Sequence, residues 1–164
     1  MKILMEKTEY VDLQEDRIII GISLQKSGLP ITFDSLGKMW GIFKDQYREK
    51  NRIPHLLSSK IEYAVLLNDM PDYITGYAVT KIGDVSSECS MVVLPKGRYI
   101  KDTFEAETFQ ILVEEVLPKR NVKAWAKEHH TAIDERFSVE VYPQEEFEKG
   151  HFEMYTLTPV RKQN

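Results

Sequence analysis

The sequence predicts an α+β fold in which the order strand, helix, strand, strand occurs twice. Three observations carry this reading. Short runs rich in β-branched and aromatic residues are bounded by turn residues, and each half holds one stretch with apolar residues at helical spacing. No linker, low-complexity tract or charge block separates the halves, so residues 1–164 are read as one domain with modules at about 10–82 and 89–160.

The first strand is residues 17–24, where Ile18, Ile19, Ile20 and Ile22 precede the turn-prone Lys26-Ser-Gly-Leu-Pro30. Residues 10–13 are expected to pair with it. Asp34 and Ser35 both suit a helix N-cap, and Leu36, Met39, Trp40, Phe43 and Tyr47 then recur at helical spacing to about residue 51. Strands are expected at 62–67 and 73–80, joined by Asn68-Asp-Met-Pro-Asp72.

In the second half, residues 91–94 form a short strand, Pro95-Lys-Gly97 a turn, and 98–104 continue extended. A helix from about Ala106 carries Phe109, Leu112, Val113 and Val116 on one face and stops near Pro118. Residues 119–134 read as a polar connection. Strands follow at 136–142 and from 152 to about 160, around a Pro/Glu/Gly turn at 143–150, and the tail 161–164 is expected to fray. The two antiparallel modules either face each other or join.

Composition bounds the function. The chain has 164 residues, 22 Lys+Arg against 26 Asp+Glu and a net charge of −4, which argues against nucleic acid as a direct partner and tolerates a cationic one. The single cysteine, Cys89, cannot close an internal disulfide, and the N-terminal Ile3-Leu-Met5 is far short of a secretory apolar region. No apolar run approaches the ~20 residues of a membrane span. A cytoplasmic, soluble protein with no membrane partner is expected.

The last hairpin holds the most informative pattern. Strand alternation sets Ser138, Glu140 and Tyr142 on one face against Phe137, Val139 and Val141, and sets Glu153, Tyr155 and Leu157 against Phe152, Met154 and Thr156. A Glu-x-Tyr pair therefore occurs in each strand. Facing solvent, such pairs are ordinary sheet surface. Lining a groove between the modules, they form an aromatic site with carboxylates, suited to a flat cation through ring contacts and countercharge. Trp40 is either core or the wall of such a pocket, and Trp125 either packs on the core edge or covers a ligand.

Other chemistry is weakly represented. His129 and His130 are adjacent and lack zinc-ligand spacing, so no metal is expected, and no glycine-rich phosphate loop or nucleophile elbow is present. No cofactor is expected. Nothing near Cys89 in sequence would lower its pKa.

Several phrases, in order along nearly the whole chain, resemble the GyrI-like small-molecule-binding family, related to the effector-binding domains of AraC- and MerR-type multidrug regulators. They are Ile20-Gly-Ile22, Leu36-Gly-Lys-Met-Trp40, Tyr77-Ala-Val79, Val93-Leu-Pro-Lys-Gly-Arg-Tyr99, Val116-Leu-Pro118, Val139-Glu-Val-Tyr142 and Glu153-Met-Tyr-Thr-Leu-Thr-Pro159. The resemblance implies tandem pseudo-symmetric βαββ modules forming a concave ligand site. It implies that Glu140 neutralises cationic aromatic ligands there, that Tyr155 lines the same site, that Trp40 is the family's helix tryptophan, and that Glu153 matches an acidic position of the last strand. The connection at 119–134, with Trp125, departs from the family.

Three functions follow as expectations. The first is a small-molecule-binding protein without a DNA-binding domain, taking amphipathic, often cationic aromatic compounds against Glu140, Tyr142, Glu153, Tyr155, Trp40 and Trp125. The second, implied by hydrolases of the family that open cyclopropane-bearing alkylating compounds, uses Glu140 or Glu153 on water and Tyr142 or Tyr155 as hydrogen-bond donor. The third is a DNA gyrase-interacting inhibitor or protector, with Glu145-Glu-Phe-Glu148 as its acidic surface.

Overall fold

The apolar run near residue 20 becomes an inner strand of a single sheet, and that position explains its composition. In the computed structural model the residues described are 3–116, 121–144, 147, 150 and 152–162. They form β1 (Ile3–Leu13), β2 (Arg17–Ser23), α1 (Phe33–Phe43), β3 (Ile61–Leu67), β4 (Asp72–Val79), β5 (Ser90–Leu94), β6 (Gly97–Ala106), α2 (Phe109–Ile111), α3 (Val122–Glu128), β7 (Phe137–Pro143) and β8 (Phe152–Pro159). The strands form one eight-stranded sheet of order β1-β6-β8-β7-β3-β4-β2-β5, with every neighbouring pair antiparallel. The fold is α+β, as the sequence predicts.

The modules join rather than face each other. β3 pairs with β7 at the centre, and the order reads the same from both edges once β1 to β4 are equated with β5 to β8. One expected pairing is corrected. Residues 10–13 belong to β1, which pairs with β6 of the other half, while β2 takes β4 and β5 as neighbours. Local sequence carries no information about such an exchange, because either partner satisfies the same backbone groups.

β2 is buried on both faces. Ile19 packs with Tyr63, Val65, Tyr99, Val139 and Val141 on one side of the sheet, and Ile20 and Ile22 pack with Met39, Phe43 and Tyr47 of the α1 region on the other. A strand covered twice has no polar face to alternate with, which is why residues 18–20 are all isoleucine. Gly21 lies opposite Gly76 in β4, and the backbones approach so closely there that a Cβ at Gly21 would fall 1.7 Å from the Thr75 carbonyl oxygen.

The helix boundaries differ from the expected ones for stated reasons. α1 is capped by Thr32, whose side chain accepts the Ser35 N–H, rather than by Asp34 or Ser35. Replacing Thr32 by Ala is expected to lower stability by about 1 kcal/mol, read as a small fall in Tm, because that N–H then loses its partner. After Phe43 the helix widens into a π turn over Lys44–Arg48, a geometry often found beside functional sites. The second helix begins at Phe109, because Ala106 ends β6, and it too widens, over Leu112–Val116. The side chains of Val113 and Val116, and Pro118, lie outside the described residues, as do Glu145, Glu146 and Glu148 of the acidic turn. The stretch expected as a polar connection contains α3, capped by Asn121, whose side chain accepts the Ala124 N–H.

Candidate functional site

The site begins with strand register. Glu62 of β3 lies opposite Tyr142 of β7 and Ala64 lies opposite Glu140, so all four project from the sheet face that α1 covers. Tyr73 of β4 lies opposite Leu66 on that same face. Above them, α1 crosses with its aromatic stripe. Between the helix, these strands and the start of α2 lies a cavity of about 720 Å³, a size suited to a drug-like molecule.

Six of its thirteen described lining residues carry aromatic rings. Trp40 meets Tyr142 edge to face with centroids 5.4 Å apart, and Phe109 meets Phe147 at 5.7 Å in the same manner. Phe33 and Phe109, the first residues of α1 and α2, line the cavity and remain 70% and 46% exposed. Each follows its helix's capping threonine. Rings left this open at a cavity mouth are available to a ligand rather than spent on the core.

Gly37 and Gly41 of α1 face the same space, and a Cβ built at either meets no atom within 4 Å. A mid-helix glycine costs up to about 1 kcal/mol relative to alanine. Gly41→Ala is accordingly expected to raise Tm by a few degrees, whereas Gly41→Leu, by filling the cavity, is expected to lower ligand affinity in a fluorescence titration.

The polar groups are few and connected. Trp40 donates its indole N–H to the Tyr73 hydroxyl at 3.0 Å. Tyr73 donates to Glu140 Oε1 at 3.3 Å, and Tyr142 donates to the same oxygen at 3.1 Å. Burial, and then the negative charge of Glu140, push the Tyr73 pKa well above its usual value. The phenol therefore keeps its proton and serves as a donor. The result is a carboxylate on the cavity wall held in one orientation by two tyrosines.

A second carboxylate lies deeper. Glu62 is 0% exposed, and Arg48, from the π turn, holds it with a fork: Nε to Oε2 at 2.6 Å and Nη2 to Oε1 at 2.5 Å. The Tyr77 hydroxyl also donates to Oε2, at 3.0 Å. Burial and the Glu62 charge raise the Tyr77 pKa, so this donor too stays protonated. Arg48 lines the cavity, one helical turn beyond Lys44.

Comparison with known proteins places this architecture. The profile of the Cass2 family, the integron-associated effector binding proteins, matches residues 18–156. The chain belongs to that family. Its fold is shared by solved structures of low identity: the integron cassette protein from the mobile metagenome of Vibrio cholerae (14% identity, TM-score 0.54, 94% of this chain and 95% of that one), and the protein SAV2435 bound to tetraphenylphosphonium (12%, 0.64, 94% of each chain). The C-terminal domain of EcmrR is similar in the same sense (13%, 0.66, 98% of this chain and all of that one). No curated protein matches the chain in sequence.

Within this effector-binding fold, the residues singled out from sequence divide into two groups. Trp40, Glu140 and Tyr142 come together at the cavity. Glu153, Tyr155 and Trp125 do not join them. Tyr155 lies opposite Val141, whereas Thr156 lies opposite Glu140, so the two Glu-x-Tyr pairs point to opposite faces of the sheet. There Tyr155 packs with the second apolar cluster, under the Lys101 ammonium 4.3 Å from its ring centre, and burial pushes its pKa up to about 12. Trp125 stacks on His129 at 3.8 Å and meets Tyr10 edge to face at 5.0 Å, beside the β1 edge.

Sequence reasoning missed Phe33, Tyr73, Lys44 and Arg48. Two signals were available. The phrase Thr-Phe-x-x-Leu occurs at 32–36 and again at 108–112, each the same distance before its following strand, and it pairs Phe33 with Phe109. Trp40, Lys44 and Arg48 also recur every four residues, along one side of a helix.

Proposed function

We propose that this family member binds amphipathic aromatic small molecules, cations among them, with Glu140 as countercharge. One observation carries the reading: a carboxylate oriented by Tyr73 and Tyr142 on the wall of a cavity otherwise built mainly of rings and helix glycines. Aromatic faces attract a flat cation, and a fixed carboxylate in a partly dry site adds to that attraction more than it could in water. The tetraphenylphosphonium held by SAV2435 belongs to this ligand class and supplies a probe.

Trp40 lines the cavity and Trp125 does not, so a Trp125→Phe variant leaves Trp40 as the reporter. Adding tetraphenylphosphonium to that variant is expected to change Trp40 emission saturably. Unchanged emission, together with no heat of binding by calorimetry, overturns the reading. Of the two carboxylates the hydrolytic alternative offered, Glu140 lines the cavity and Glu153 lies on the opposite face of the sheet.

A further inference from the structure

The charges on the cavity wall do not match a ligand that is only a cation. Among the described residues the charged lining side chains are Glu140, Lys44 and Arg48, one carboxylate against two cationic groups. Lys44 is exposed, and Arg48, although bound to Glu62, keeps 33% of its side chain open. A site tuned to a simple cation gains nothing from cationic groups on its wall, since like charges this close oppose binding.

Arg48 is also arranged as a recognition group. Its fork to Glu62 engages Nε and Nη2, and a guanidinium has five N–H donors, so donors remain beyond the fork even with the Tyr77 hydroxyl beside it. Glu62 has no exposed surface, so the ion pair presents only its positive end to the cavity. Along β3, Glu62 and Ala64 are two residues apart, and Ala64 marks the Glu140 row. The anchor of Arg48 and the row of Glu140 are thus separated by about 7 Å, the length of a strand dipeptide and close to the width of a fused ring system.

Resting on the binding reading above, we propose that the cavity selects amphoteric aromatic compounds: a flat ring system with a cationic nitrogen directed to Glu140 and a carboxylate directed to Lys44 and Arg48. Arg48 is then a specificity-determining residue, held in place by Glu62. Recognition of both ends aligns the ring system along the aromatic wall between Trp40 and the two rim phenylalanines.

Rhodamine B, a zwitterion at neutral pH, and its methyl ester, a cation with the same rings, make the test. Titrations followed by dye fluorescence at low salt are expected to show the free acid bound about tenfold tighter than the ester, the worth of a charge-assisted contact. Lys44→Gln, an exposed change, is expected to reduce that ratio about threefold. Arg48→Met combined with Glu62→Leu, which leaves no buried charge behind, is expected to reduce it about threefold as well in protein whose melting curve stays cooperative, and adding Lys44→Gln is expected to bring it near one. Equal affinity for acid and ester in the natural protein, or a ratio that survives these variants, overturns this inference alone, provided the ester binds in a Glu140-dependent way. Failure of both dyes to bind removes the reading beneath it as well.

Discussion

Tetraphenylphosphonium is expected to bind the Glu140→Gln variant about 30-fold more weakly than the natural protein. The substitution preserves shape and leaves an amide oxygen to accept from Tyr73 and Tyr142, so it removes the charge while keeping both of these hydrogen bonds. A unit charge about 5 Å from a cation, at the effective dielectric of a protein site, is worth roughly 3 kcal/mol, and the partial exposure of Glu140 reduces this to about 2 kcal/mol. Triphenylphosphine oxide, a neutral compound of similar ring content, is expected to bind both proteins alike. Calorimetric titration of the two ligands into the two proteins measures the difference. Equal losses for both ligands would mean that the substitution damaged the cavity rather than its charge, and no loss for either would remove Glu140 from the site.

The second large effect concerns stability. Arg48→Met leaves the Glu62 carboxylate with no exposed surface and no cation, and is expected to cost about 3 kcal/mol, a fall in Tm of about 6–12 °C for a chain of this length. Replacing both partners, Arg48→Met with Glu62→Leu, is expected to recover most of that loss, because it withdraws the buried charge together with its partner. The measurement is a double-mutant cycle by thermal or urea denaturation. Additive effects of the single substitutions would show that the pair is uncoupled and that Arg48 is held by something else. The cycle also separates the two roles of Arg48, since the double variant restores folding without restoring a cation to the cavity.

Much of the fold was legible because its local signals are strong. The runs at 17–23, 61–67 and 137–143 combine β-branched residues with flanking turns, and the structure places strands there within a residue of the expected bounds. The stripe from Leu36 to Tyr47 was equally clear, since apolar side chains at helical spacing serve only a one-sided burial. α3 was not legible, because Asn121 and the charged residues around Trp125 read as a connection when no apolar stripe accompanies them. The π turns were not legible either, since they depend on how a helix end meets the sheet.

The site divides along the same line. Alternation correctly sorts each strand of the last hairpin into two faces, but the register between strands is a tertiary matter, and a shift of one residue sends a side chain to the other side of the sheet. That is why Glu140 and Tyr142 meet Trp40 while Tyr155, offered by the same pattern, packs away from them. By itself the sequence determined the element types, the face that each side chain shares with its strand neighbours, and the kinship to effector-binding proteins. Only the tertiary structure decided which faces close on one another: that β1 and β5 cross to the opposite halves, that Tyr73 orients Glu140, and that Arg48 reaches a buried Glu62. The physical reason is range. Propensity and periodicity act over a few neighbouring residues, whereas register, crossover and ion pairing are set by the burial of the whole sheet at once.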